Sequence, residues 1–145
     1  MYIVIAIDPG ISKCGLIVAD IKEKKVYEAF VIKSNKLLKY VKKKYQKEKN
    51  LQFIIGNGTS SKNFIKDLIQ LVPNLIIAEE KNTTYRAKER YFEIFPLLGI
   101  RCFFPRELFI LNKNLDALAA MIIMEDYFKI KFEFSKKIKI KTWLK

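Results

Sequence analysis

The feature that most constrains this chain is its opening. Met1 to Ile7 is apolar without a break and then runs into Asp8-Pro9-Gly10. Seven apolar residues are too few to cross a bilayer, and the stretch has neither the basic start nor the cleavage site of a secretory leader. Its length is that of a strand buried on both faces, which requires a layer of helix on each side of the sheet. The protein is accordingly expected in the cytoplasm, with no membrane association.

The rest of the chain is read outward from that strand. Residues 14–19 and 26–32 form two more short apolar runs, separated by the polar stretch Asp20 to Lys24. Three strands with such short connections imply an antiparallel meander. Beyond Ser34, a plausible helix cap, Leu37, Leu38, Val41 and Tyr45 recur at helical spacing with Lys on the opposite side. The pattern then alternates. A strand over 51–55 ends in Gly56-Asn57-Gly58, and a helix capped by Thr59 or Ser60 carries Phe64, Ile65, Leu68, Ile69 and Val72 to a stop at Pro73. A strand over 75–78 ends in Glu79-Glu80, a helix follows at about 83–94, and 100–104 reads as a last short strand. A final helix over 113–128 is capped near Asn112 or Asn114. The order β-β-β-α-β-α-β-α describes a mixed α/β sheet, three antiparallel strands followed by βαβα, with helices on both faces. Its 145 residues fit one domain over 1–130, with a basic C-terminal tail at 131–145 of no clear state.

Composition narrows the chemistry. The chain has no histidine, so imidazole acid–base catalysis, His-activated nucleophiles and His-ligated zinc are excluded. Cys14 and Cys102 are far apart among apolar neighbours and read as two reduced, buried thiols. The net charge of +13 comes mainly from Lys. It is concentrated in residues 36–49, with seven Lys and one acid, and in 131–145, with six Lys and one acid. Blocks of this kind serve as contact surfaces for polyanions, although an AT-rich genome also enriches Lys without any partner.

What remains for catalysis is carboxylate chemistry. Asp8 closes the first buried strand, and Glu79 and Glu80 close another. Asp-Pro-Gly is also ordinary turn chemistry. Adjacent carboxylates on an extended chain point to opposite faces, so only one of Glu79 and Glu80 is expected to reach a shared site. Thr83 and Thr84 read as caps of the next helix. Asp116 lies on an otherwise apolar helix, sharing its face with Ala119 and Ala120, which let that helix approach the sheet closely. It is either a metal ligand at the strand ends or a first-turn Asp stabilised by the helix dipole. Hard oxygen ligands with no soft ones suit Mg²⁺, or Mn²⁺, which bridge to phosphate and activate water.

The segments Ile5-Ala-Ile-Asp8-Pro-Gly10 with Cys14-Gly15-Leu-Ile-Val, Ile54-Ile-Gly56-Asn-Gly58-Thr59, Glu79-Glu80-Lys81-Asn82-Thr83-Thr84 with Ala87, and Leu115-Asp116-Ala-Leu-Ala-Ala with Tyr127-Phe128 together resemble the YqgF/RuvC group of the RNase H-like (Holliday junction resolvase-like) superfamily. The resemblance spans residues 3–128. It implies an RNase H-like fold and a Mg²⁺-dependent nuclease whose metal is held by Asp8, Asp116 and one of Glu79 and Glu80, with Glu80 at the family's acidic site position. Its substrate would be structured nucleic acid, either a four-way junction (resolvase type) or precursor ribosomal RNA (YqgF type). Two departures favour the YqgF side: Lys113 stands where resolvases carry a second acid, and the glycine loop stands where they carry an acid after the fourth strand. Two others depart from YqgF itself, since a Leu-Pro pair is missing and Lys81 replaces an Arg. Lys62, Lys81, Arg86 and Lys113 lie near the proposed elements in sequence and are candidate phosphate contacts. A catalytically degenerate nucleic-acid-binding protein of the same fold is the alternative. Nucleotide binding of the actin-like kind needs two large domains, which this length excludes. A junction has two-fold symmetry, so a resolvase is expected to act as a homodimer.

Overall fold

The computed structural model describes residues 2–110 and 112–143, with the side chains of Asn112 and Lys113 outside the described residues. Strands β1 (Ile3–Asp8), β2 (Lys13–Asp20) and β3 (Lys25–Lys33) form the antiparallel meander. Helix α1 (Leu37–Lys47), β4 (Gln52–Gly56), α2 (Ser61–Leu71), β5 (Ile76–Ala78), α3 (Thr83–Ile94) and α4 (Asn112–Phe128) follow. β4 and β5 add in parallel beside β1, and β6 (Lys141–Trp143) adds in parallel beside β3. The sheet order is therefore β5-β4-β1-β2-β3-β6. This is a mixed α/β sheet with helices on both faces, in the order β-β-β-α-β-α-β-α read from the sequence as far as α3.

β1 sits in the middle of the sheet because its residues are apolar on both faces; Val4 to Ile7 are all essentially inaccessible. Val4 and Ala6 face one core with α3 and α4, while Ile5 and Ile7 face another with α1 and α2. The two-sided burial that an unbroken apolar run demands is thus met by two helices on each face. α1 buries only Leu37 and Val41 of its length. In α4, Leu115 and all residues from Ala117 to Ile123 are buried, as is Met124.

Several local expectations differ from the structure. Residues 99–103 form a 3₁₀ turn instead of a strand, followed by a second at Arg106–Phe109. No strand pairs with this segment, and Ile100 and Phe103 point to solvent. Cys102 consequently lies exposed, whereas Cys14 is buried as expected. Ser34 opens a short 3₁₀ turn before α1 and donates its hydroxyl to Gly10 O at 2.7 Å, tying the hairpin to the end of β3 instead of capping a helix. Ser60 precedes α2 without a side-chain cap, and Ser61 Oγ bonds back to Gly58 O at 2.6 Å.

The Lys-rich segment beyond residue 130 packs onto the domain. Phe132 and Phe134 are buried in the α3–α4 core, and residues 141–143 complete the sheet. Arg90 fastens this return. Its guanidinium donates to Phe132 O at 2.7 Å, Glu125 Oε1 at 3.0 Å and Glu93 Oε2 at 2.8 Å, while Phe132 N–H donates to the same Glu125 oxygen. An alternating Ile/Lys/Phe sequence shows one buried side to a sheet and one Lys side to water, so it has strand-like patterning that its charge conceals.

Candidate functional site

Asp8 is the last residue of β1 and pairs with Gly15 of β2. Gly15 has no side chain for a reason. A Cβ there would lie 1.8 Å from Asp116 O and 2.6 Å from Ala117 N, so the backbone of α4 rests directly on the strand. That contact sets the Asp116 backbone beside the end of β1. The small residues on the helix were legible in the sequence, but the closest approach is made by a glycine on the strand.

The other side of Asp8 is built by β4 and β5. Ile7 pairs with Ile55, and Gly56 pairs with Ala78, so the ends of β1, β4 and β5 are level. Glu80 lies two residues past β5 and must cross the end of β4 to reach Asp8. The Gly56-Asn57-Gly58 loop permits this. A Cβ on Gly56 or Gly58 would fall 2.7 or 2.4 Å from Glu80 Oε2. The carboxylate is held in this space by Gly58 N–H at 3.0 Å and by the Thr83 hydroxyl on Oε1 at 2.9 Å. Asn57 Oδ1 accepts from the Glu80 backbone N–H at 3.0 Å. Asn82 turns the chain between Glu80 and α3 at φ 50, a left-handed conformation that Asn tolerates better than most residues. Thr83 therefore orients Glu80 and does not cap α3 with its side chain.

Glu79 points the other way, as alternation on an extended chain requires. It is exposed and paired with Lys81 at 2.9 Å, which holds its carboxyl below the usual range. Of the two adjacent glutamates, the structure brings Glu80 to Asp8 and leaves Glu79 in solvent.

The electrostatics follow from this crowding. Burial pushes the Asp8 carboxyl up to about 8, helped by the charges of Glu80 and Asp116 and by a hydrogen bond shared with Glu80. A carboxylate among carboxylates under an apolar helix keeps a proton unless a cation replaces it. Asp116 is steadied by Lys13, whose Nζ lies 2.8 Å from Oδ2 in an ion pair. Among the described residues, no three carboxylates or thiols converge closely enough to encircle a single ion. Asp8, Glu80 and Asp116 form an all-oxygen donor set, the kind that suits a hard divalent cation, with Asp8 and Glu80 in contact and Asp116 paired with Lys13.

Lys13 was missed by sequence reasoning, which looked for cations near the glutamates. The signal was available: a tight hairpin after Asp8 brings its first returning residues back beside the strand end. Of the four expected phosphate contacts, Lys62 is exposed near the start of α2. Lys81 is exposed but paired with Glu79. Arg86 is committed to a two-pronged bond with Asp126 of α4, with Nη2 to Oδ1 at 2.7 Å. Lys113 has its side chain outside the described residues. Among the described residues no helix is long and apolar enough to cross a membrane.

No protein-family model matches the chain, and no curated protein matches it in sequence. Among solved structures it is similar to Thermus thermophilus RuvC in complex with a Holliday junction substrate, at 12% identity and a TM-score of 0.49, over 92% of this chain and 100% of that one. It is also similar to a second Thermus thermophilus RuvC structure, at 12% identity and a TM-score of 0.48, over 90% of this chain and 99% of that one.

Proposed function

We propose that this chain is a Mg²⁺-dependent nuclease of the RNase H-like fold acting on structured nucleic acid. One observation carries the reading: Asp8 at the end of β1 is buried in hydrogen-bond contact with Glu80 and within the field of Asp116, which pushes its carboxyl up to about 8. Asp8, Glu80 and Asp116 are the proposed ligands. A bound Mg²⁺ or Mn²⁺ would supply charge neutralisation at the phosphate and a water acidic enough to attack phosphorus. The chain's own part is positioning. Gly58 N–H and Thr83 fix Glu80, the α4 backbone on Gly15 fixes Asp116, and Lys13 is placed to shift from Asp116 to a substrate phosphate. The net charge of +13 draws the polyanion to the site. The glycine loop, which accommodates Glu80 where resolvases carry an acid, supports the YqgF-type reading and hence precursor ribosomal RNA as the substrate, with the four-way junction as the competing one.

The Lys13–Asp116 ion pair favours a second reading. A lysine ammonium where a metal would sit is what a chain that binds without cutting would have. Labelled four-way junction, duplex DNA and precursor-rRNA fragments, incubated with Mg²⁺, Mn²⁺ or chelator beside an Asp8→Asn control, separate the two. Metal-dependent cleavage lost in the variant establishes the nuclease. Binding with no cleavage under either metal establishes the degenerate relative.

A further inference from the structure

The side of α1 next to β6 forms a second feature, away from the carboxylates. Tyr40, Lys43, Lys44 and Lys47 recur at helical spacing on the side of α1 facing β6. With Trp143 they line a groove of about 330 Å³. Trp143 is stacked on one side against the fully buried Phe30, centroids 4.5 Å apart, and 43% of it remains exposed. Lys44 lies over the Tyr40 ring at 5.6 Å, which holds its ammonium at the groove. The Tyr40 hydroxyl is buried without a hydrogen-bond partner among the described residues. α1 contains no acid at all. Glu28 is the acid on this side, and Lys141 faces it at 4.0 Å.

Sheet register locates this groove relative to the carboxylates. Asp8 pairs with Gly15, Gly15 with Val31, and Val31 with Thr142. β1, β3 and β6 run in the same direction, so Trp143 sits one residue beyond the level of Asp8, at the same end of the sheet. Three strand spacings of about 4.8 Å separate the two strands, roughly 14 Å in all. The groove lies on the α1 face and the carboxylates on the α4 face, so the two are on opposite sides of the sheet.

We propose that the groove between α1 and β6 holds an unpaired segment of the nucleic acid, with a base stacked on the open face of Trp143 and the adjoining phosphates on Lys43, Lys44 and Lys47. An exposed indole accepts any base face, and a side of α1 on which lysines outnumber the acids tracks phosphates irrespective of sequence. The inference rests on the nucleic-acid reading above and adds a substrate class to it: a structured nucleic acid with a single-stranded flank.

Trp143 is the only tryptophan in the chain, so its emission reports on the groove alone. The test titrates the full chain carrying Asp8→Asn, in chelator, with a twelve-nucleotide oligothymidylate and separately with inorganic polyphosphate. The oligonucleotide quenches the tryptophan, whereas polyphosphate competes for the lysines without quenching. Lys43→Glu/Lys44→Glu/Lys47→Glu weakens oligonucleotide binding at least about tenfold and lowers the salt slope by about 2. Trp143→Leu weakens it about tenfold, and Trp143→Phe restores most of the loss. Binding without quenching, or equal affinity in the triple-Lys variant with an unchanged melting profile, overturns the groove. Because no cleavage is measured, these outcomes do not depend on whether the carboxylates cut. A chain that cleaves but shows no quenching loses the groove and keeps the nuclease.

Discussion

α4 and α1 lie on opposite faces of one sheet, and they solve opposite problems. α4 is buried almost all round, under α3 and the returning C-terminal segment, with its backbone in contact with Gly15. α1 buries little more than Leu37 and Val41 and gives the rest of its surface to Lys. The buried helix holds Asp116 beside the end of β1 through its backbone contact with Gly15. The exposed one keeps its charges in water, where they can meet a polyanion. Rigidity and adhesion are thereby assigned to different faces, and substitutions on the two faces should behave differently.

The sharpest break in that comparison is at the closest contact. Gly15→Ala forces α4 off the sheet, because the new methyl would meet backbone that cannot swing aside. The expected cost is more than about 4 kcal/mol, which chemical denaturation measures. A variant as stable as the parent would mean that α4 does not rest on β2. Next is Arg90→Ala. It leaves Glu125 buried opposite an empty place and frees the segment at Phe132, for an expected loss of about 3 kcal/mol. Limited proteolysis should then cut near residue 130, and continued resistance there would contradict the clasp.

Asp8→Asn should have the opposite sign. The folded protein holds a proton on Asp8 up to about pH 8, whereas an unfolded aspartate loses it near pH 4. The native state therefore binds more protons across that window, and metal-free stability falls as pH rises from about 4 to 8. Asn carries no such penalty, so the variant should be clearly the more stable of the two at pH 8 and indistinguishable from the parent below pH 4. Melting curves of both proteins across this range in chelator would show it; parallel curves would mean that Asp8 is ionised in the fold. Mg²⁺ should restore the parent's stability at pH 8 and leave the variant unchanged. Smallest of all is the triple Lys43, Lys44 and Lys47 reversal, which should shift stability by less than about 0.5 kcal/mol while lowering nucleic-acid affinity.

What the sequence disclosed and what it hid divide along the same physical lines. The apolar runs of β1, β2 and β4 and the helical periodicities of α1 and α2 report burial, so the element order was legible. Asp8, Glu80 and Asp116 were legible as residues at element ends. What seats Glu80 against Asp8 and the α4 backbone against β2 was not, because it depends on glycines acting at a distance: Gly15 under α4, and Gly56 and Gly58 under Glu80. Residues 99–103 misled because apolar composition alone reads as a strand, yet the segment pairs with neither sheet edge and leaves Ile100 and Phe103 exposed. The final segment misled in reverse, its Lys content masking an Ile/Phe alternation that buries Phe132 and Phe134.

The central claim is that Asp8, Glu80 and Asp116 together bind a divalent cation. Calorimetric titration of Mn²⁺ into the parent, Asp8→Asn and Glu80→Gln at pH 7, in two buffers of different ionisation enthalpy, tests it most directly. The account predicts saturable binding in the parent with release of about one proton per ion, as Asp8 gives up its hydrogen to the metal, and no saturable binding in either variant. Binding of equal strength in all three proteins, or none in the parent, would contradict it.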